Sequence, residues 1–194
     1  MDQNFQPTPL VGSPLPNMEL NMYHNGKLGL LNLSSLRGKW LVLFFYPADF
    51  TFVCPTELQE LAAMYPELQK IDTEVVSVST DTAYAHMAWH DMSPAIKTVE
   101  FPMAADTNGK LSKTLGVYIE DEGQALRGTF IVDPEGVIKA VEVNDNSIGR
   151  SAQELFRKVQ AAQYVASHNG EVCPASWTPD KAALKKSDEL VGKI

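Results

Sequence analysis

The feature that most constrains this chain is an unbroken apolar run at residues 40–46, Trp-Leu-Val-Leu-Phe-Phe-Tyr, followed at once by proline. A run without polar alternation suits a strand covered on both faces. Such a strand sits inside a sheet with helices packed over it, so an α/β domain is predicted. Proline fits a helix only in its first turn, so Pro55 predicts a helix over residues 55–70 with Cys54 at or near its start. Residues 74–79 (EVVSVS) read as a second buried strand, 82–92 as a helix, 101–105 as a short strand and 110–115 as a short helix. Strands at 128–132 and 137–143 are joined by Asp133-Pro134-Glu135-Gly136, a hairpin turn. Ser151 and Glu154 form a capping box, and Leu155, Val159, Ala162 and Ala166 follow at helical spacing. Beyond residue 168 the period dissolves. The expected fold is therefore α/β with a mixed central β-sheet flanked by helices, a domain over residues 1–168 and a C-terminal arm over 169–194.

Composition narrows the class of function. With 194 residues and 44% apolar content the chain buries a sizeable core. Its net charge of −8 argues against a general nucleic-acid binder, which presents a dense basic face. No apolar run approaches the roughly 18 residues of a membrane span. Residues 1–9 are polar, with no basic segment leading into an apolar one, so no secretory leader is expected. The expectation is a cytoplasmic chain with no membrane partner.

There are two cysteines, Cys54 and Cys173. They make no disulfide framework and fit no structural zinc spacing, so they are either buried core thiols or reactive ones. At a helix N-terminus Cys54 faces unpaired backbone N–H groups and the positive end of the helix dipole, which favour thiolate over thiol. Thr51 brings a hydroxyl three residues earlier, and Pro47 ends the strand without adding a competing N–H. A cysteine between a buried strand and a helix start also lies where open α/β sheets place their sites. His86 and His90 stand four apart on the predicted helix, but no glutamate follows His86 and no third ligand is evident; a surface or half-buried pair is expected, and no metal. Trp89 and Trp177 read as packing residues.

The segment Pro47-x-x-x-Thr51-x-x-Cys54, within PADFTFVCPTE, resembles the active-site signature of the peroxiredoxins, in particular their typical two-cysteine subgroup. The strand opening Arg127-Gly-Thr-Phe-Ile-Val-Asp and the segment Gly170-Glu-Val-Cys173-Pro-Ala resemble later parts of the same family, and the ending LVGKI is similar to that of its bacterial alkyl-hydroperoxide-reducing members. The resemblance implies a thioredoxin-like fold and a thiol peroxidase acting on hydrogen peroxide and organic hydroperoxides. In that reading Cys54 is the peroxidatic nucleophile and Cys173, from a partner subunit, the resolving cysteine. Arg127 and Thr51 stabilise the reacting oxygens, Pro47 shields the pocket, and Glu57 and Arg150 orient the arginine. It implies a homodimer that assembles into a decamer, and recycling by a flavoprotein disulfide reductase, with thioredoxin as the alternative donor. No Gly-rich dinucleotide fingerprint is present, so no cofactor is expected. Residues 91–101 lack the GGLG segment of peroxide-sensitive members, and the chain lacks their Tyr-Phe ending, which implies comparative resistance to excess peroxide.

Two other classes compete with this reading. A general thiol-disulfide oxidoreductase of thioredoxin type closes a C-x-x-C at position 57, where this chain has glutamate. A holdase-like chaperone ring is a role some family members show, and no residue here selects for it.

Overall fold

The computed structural model of the chain describes residues 10–193. The expectation of no leader at residues 1–9 lies outside them, as does Ile194. Two compact units are present, divided between Arg150 and Ser151. The division falls before the last long helix, whereas the expected boundary of 168/169 fell after it. Contacts within the second unit give the reason. Helix α4 (Ala152–Ser167) holds the segment that follows it: Arg157 Nη1 donates to the Trp177 carbonyl at 2.9 Å, the Tyr164 hydroxyl donates to Glu171, and the Tyr164 and Trp177 rings lie 4.7 Å apart. The Ser151 hydroxyl caps α4 by accepting from the Glu154 N–H. The arm itself pairs β10 (Glu171–Val172) with β11 (Leu184–Lys185).

The first unit is built on a mixed sheet in the order β2-β1-β5-β4-β3-β8-β9. Its strands are β1 (Glu19–His24), β2 (Lys27–Asn32), β3 (Trp40–Phe45), β4 (Thr73–Ser79), β5 (Met103–Ala105), β8 (Arg127–Val132) and β9 (Ile138–Asn144). Strands β3, β4 and β5 run parallel, while β8 lies antiparallel to β3 on its other side. A small hairpin of β6 (Tyr118–Ile119) and β7 (Gln124–Ala125) stands apart. The hairpin β1–β2 was absent from the sequence reading. Its signal was Asn25-Gly26, both with positive φ (49° and 76°), the two-residue turn whose twist matches the flanking strands.

Strand β3 is buried at every position, as its unbroken apolar run demands. Leu41, Leu43 and Phe45 join Val76, Val78, Phe130 and Val132 in one core. Alternation along the strand sends Val42, Phe44 and Tyr46 to the other face. There Phe44 lies under the Arg150 guanidinium and Tyr46 meets the Trp89 ring, so this face carries the site.

Helix α1 (Cys54–Lys70) starts at the cysteine, with Pro55 in its first turn. Leu58, Leu61 and Leu68 are fully buried, each worth about 1.5–3 kcal/mol of apolar transfer. Pro66 lies inside α1 without ending it. Helix α2 (Ala83–Met92) is capped by the Thr82 hydroxyl, which accepts from the Ala85 N–H. A short helix α3 (Lys110–Thr114) follows β5.

Candidate active site

Cys54 is a fully buried free thiol at the first residue of α1. The helix has no side-chain cap there; instead the Thr56 and Glu57 N–H groups and the Thr56 hydroxyl all turn to the Val53 carbonyl. Arg127, the first residue of β8, points Nη1 at the sulfur, 3.4 Å away. The same nitrogen donates to Glu57 Oε2 at 2.7 Å. Nε and Nη2 both donate to the backbone carbonyl of Asn146, at 3.0 and 2.8 Å. The guanidinium is thus held on one edge by a carbonyl and turned toward sulfur and carboxylate on the other.

Glu57 faces Cys54's end of the helix because it is one turn on, at the fourth residue of α1. Its carboxylate is shared between two arginines. Arg150 donates from its backbone N–H (2.7 Å) and Nε (2.9 Å) to Oε1, and from Nη2 (3.0 Å) to Oε2. Arg150 Nη1 donates to the Gly128 carbonyl and the Thr129 hydroxyl, both at 2.9 Å, and the guanidinium stacks 3.5 Å from the Phe44 ring centroid. Burial draws the Arg150 guanidinium below its ordinary value, and Glu57 beside it pushes back. Glu57, Arg127 and Arg150 are all buried, so two guanidinium charges meet one carboxylate in a place water does not screen.

The sequence had singled out each of these residues, and the structure brings Cys54, Glu57, Arg127 and Arg150 into one network. Pro47 is buried at the end of β3, in the loop that leads to Cys54. Thr51 is half-buried in that loop, and its hydroxyl donates to the Ala48 carbonyl at 2.8 Å. With its hydrogen committed there, Oγ1 has only lone pairs left for any further contact. Cys173 lies in the second unit, half-buried, with Sγ 3.8 Å from the Ala161 carbonyl. Burial pushes its thiol up from the ordinary range, Arg157 draws it down, and Glu171 adds to the rise.

Two features escaped the sequence reading. The Asn146 carbonyl is a backbone group in a loop, and no side-chain pattern announces it. His86 was expected at the surface or half-buried, yet it is completely buried and hydrogen-bonded to Asp49. The Ala83–Met92 helix turns that face to the sheet, which its weak amphipathicity did not reveal. His90 is half-buried, as expected, and turns instead to the Tyr23 hydroxyl at 3.1 Å.

Residues 11–141 match the AhpC/TSA family, and residues 161–194 match the C-terminal domain of 1-Cys peroxiredoxin. This chain belongs to the peroxiredoxins. It is 48% identical over 185 residues to alkyl hydroperoxide reductase C of Pseudomonas aeruginosa, a match covering 95% of this chain and 99% of that protein. The crystal structure of Enterococcus faecalis AhpC is similar to it with a TM-score of 0.84 at 47% identity, covering 86% of this chain and 100% of that one. The reduced 2-Cys peroxiredoxin of Plasmodium vivax gives a TM-score of 0.89 at 31% identity, covering 94% and 96%. The fold is therefore the thioredoxin-like α/β fold of the peroxiredoxins, and the chain is a peroxiredoxin enzyme, a thiol peroxidase.

Proposed function

We propose that this peroxiredoxin reduces hydrogen peroxide and organic hydroperoxides at Cys54, and that Cys173 of a partner subunit then closes an intersubunit disulfide. The observation that carries the reading is Arg127 Nη1 at 3.4 Å from the Cys54 sulfur, inside the buried network with Glu57 and Arg150. The Cys54 thiolate attacks one peroxide oxygen. An S–O bond forms, the O–O bond breaks, and the second oxygen leaves with the bonding pair and takes up a proton as alcohol or water. Negative charge moves from sulfur to the departing oxygen, and Arg127 stays within reach of both. Thr51, with its lone pairs free, accepts the hydrogen of a peroxide O–H and so selects the protonated substrate. Pro47 keeps water from the back of the loop.

The product at Cys54 is a sulfenic acid. Attack by the Cys173 sulfur on the sulfenic sulfur forms the disulfide and releases water. Two electrons from an external dithiol reopen it. The likeness to alkyl hydroperoxide reductase C supports a flavoprotein disulfide reductase as that donor, ahead of thioredoxin. A homodimer assembling into a decamer, acting in the cytoplasm, completes the reading. Among the described residues no helix is long and apolar enough to cross a membrane.

The test is a thiol count with a non-reducing gel after reduced protein meets one equivalent of peroxide. Loss of both thiols within seconds, with a shift to a linked dimer, is the expected result. The same loss without the shift makes the disulfide intrachain, and slow loss returns both cysteines to inert thiols.

A further inference from the structure

A second buried polar cluster lies beside the loop that leads to Cys54, and no step above uses it. His86 Nδ1 lies 2.8 Å from Asp49 Oδ2, with both side chains essentially sealed from solvent. His86 Nε2 lies 3.2 Å from the Ala104 carbonyl, which can only accept. Nε2 therefore carries its hydrogen, and the contact at Nδ1 requires one more hydrogen between imidazole and carboxylate. The other oxygen of Asp49 accepts the Tyr46 hydroxyl at 2.8 Å. The Asp49 backbone N–H donates to Asp81 Oδ2 at 2.8 Å, and the Ser79 hydroxyl holds the same Asp81 oxygen at 3.0 Å. Asp49 is thus tied to the end of β3, to the turn after β4 and to α2. A buried network satisfied on every side resists displacement, because moving any member leaves a partner unpaired.

Helix α2 grips the same loop a second time. Trp89, one turn beyond His86, places its ring 6.0 Å from that of Phe50 and 6.0 Å from that of Tyr46. Phe50 has φ +57°, a left-handed value that a bulky residue keeps only where its surroundings impose it. It stands between Asp49 and Thr51. On the other side of Asp49, the Ala48 carbonyl accepts the Thr51 hydroxyl. The direction of that hydroxyl is therefore set by residues 48–50, and residues 48–50 are held by α2.

We propose that His86, acting through Asp49, is a positioning residue for the peroxidase reaction. It holds the Ala48 carbonyl, and so the lone pairs of Thr51, where the peroxide oxygen docks beside Cys54. His86 touches neither sulfur nor substrate. The proposal rests on the assignment of Cys54 and Thr51 made above.

Rapid mixing tests it, comparing the second-order rate of Cys54 oxidation by hydrogen peroxide with its alkylation by iodoacetamide, a reaction that needs no Thr51 acceptor. His86→Leu is expected to slow peroxide oxidation about 10- to 100-fold, as a misplaced reacting group does, with alkylation changed less than about threefold. His86→Asn, which keeps an N–H near the place of Nδ1, is expected to recover most of the loss. In a Thr51→Val background His86→Leu is expected to cost less than about threefold, because the group it positions is gone. Tyr46→Phe removes one donor to Asp49 without changing packing, and carries the same comparisons if His86→Leu does not fold. An unchanged peroxide rate overturns the proposal, as do equal losses in peroxide and alkylation rates or equal losses with and without Thr51. A wild-type Cys54 oxidised no faster than a free thiol overturns the underlying assignment instead, and the two failures are told apart in one experiment.

Discussion

Arg127 Nη1 and Cys54 Sγ lie 3.4 Å apart although the residues are 73 positions apart in the chain. The contact exists because α1 begins at the cysteine and β8 begins at the arginine, and both elements start at the same end of β3. Three more of its N–H donors go to the Asn146 carbonyl and to Glu57, which fixes the orientation of the group. In the reaction proposed above, a charge fixed beside the sulfur acts without reorganising when the O–O bond breaks.

Arg127→Lys keeps the charge and loses the fork. A lysine ammonium cannot grip the Asn146 carbonyl with two donors and still reach both Cys54 and Glu57. The expected loss is about 10²–10³-fold in the rate of Cys54 oxidation by peroxide, read by rapid mixing, with the circular dichroism spectrum unchanged.

Glu57→Gln removes the one carboxylate that two buried guanidinium groups share. Arg127 and Arg150 then lose the carboxylate that sits between them. The expected cost is about 3–5 kcal/mol in folding stability, seen as a lowered urea midpoint.

The Cys173 thiol is pushed up chiefly by burial, drawn down by Arg157 and raised further by Glu171. A raised thiol stays protonated at neutral pH, so its nucleophilic form grows only as pH climbs past the ordinary thiol range. In a Cys54→Ser background, the rate of Cys173 alkylation is expected to titrate with a midpoint above that of a free cysteine. Arg157→Ala should move the midpoint up and Glu171→Gln should move it down. A midpoint at or below the free-thiol value contradicts the environment described.

Gly128 follows Arg127 on β8, and its carbonyl receives Arg150. A Cβ built there meets Val117 Cγ1 at 2.9 Å and a Phe130 ring carbon at 3.2 Å, neither of which is a flexible chain end. Gly128→Ala is expected to cost about 1–3 kcal/mol by overpacking, measured by urea unfolding, with peroxide turnover lowered as the strand shifts.

Much of this protein is legible where the physics is local. The apolar run of β3, Pro55 in the first turn of α1, the turn at 133–136 and the cap at Ser151 each report a preference settled within a few residues. The hairpin at Asn25-Gly26 is equally local, although polar residues at Asn21 and Asn32 blur the apolar alternation of its strands. Cys54, Thr51 and Pro47 are legible as candidates from local residue types, whereas Glu57, Arg127, Arg150 and Cys173 are legible only through the resemblance to the peroxiredoxins.

The amino-acid sequence by itself determined that a buried strand leads through a short loop into a helix that starts at Cys54, and so where along the chain the sulfur sits. It also determined which charged residues are available to serve that sulfur. Only the tertiary structure decided that Glu57 is shared by Arg127 and Arg150, that a loop carbonyl at Asn146 aims Arg127, and that His86 is sealed beneath the loop against Asp49. Local pattern cannot fix these, because each depends on which face of a helix meets which edge of the sheet. That choice is made by burial of the whole core, where leaving any one polar group unpaired costs more than a local preference is worth.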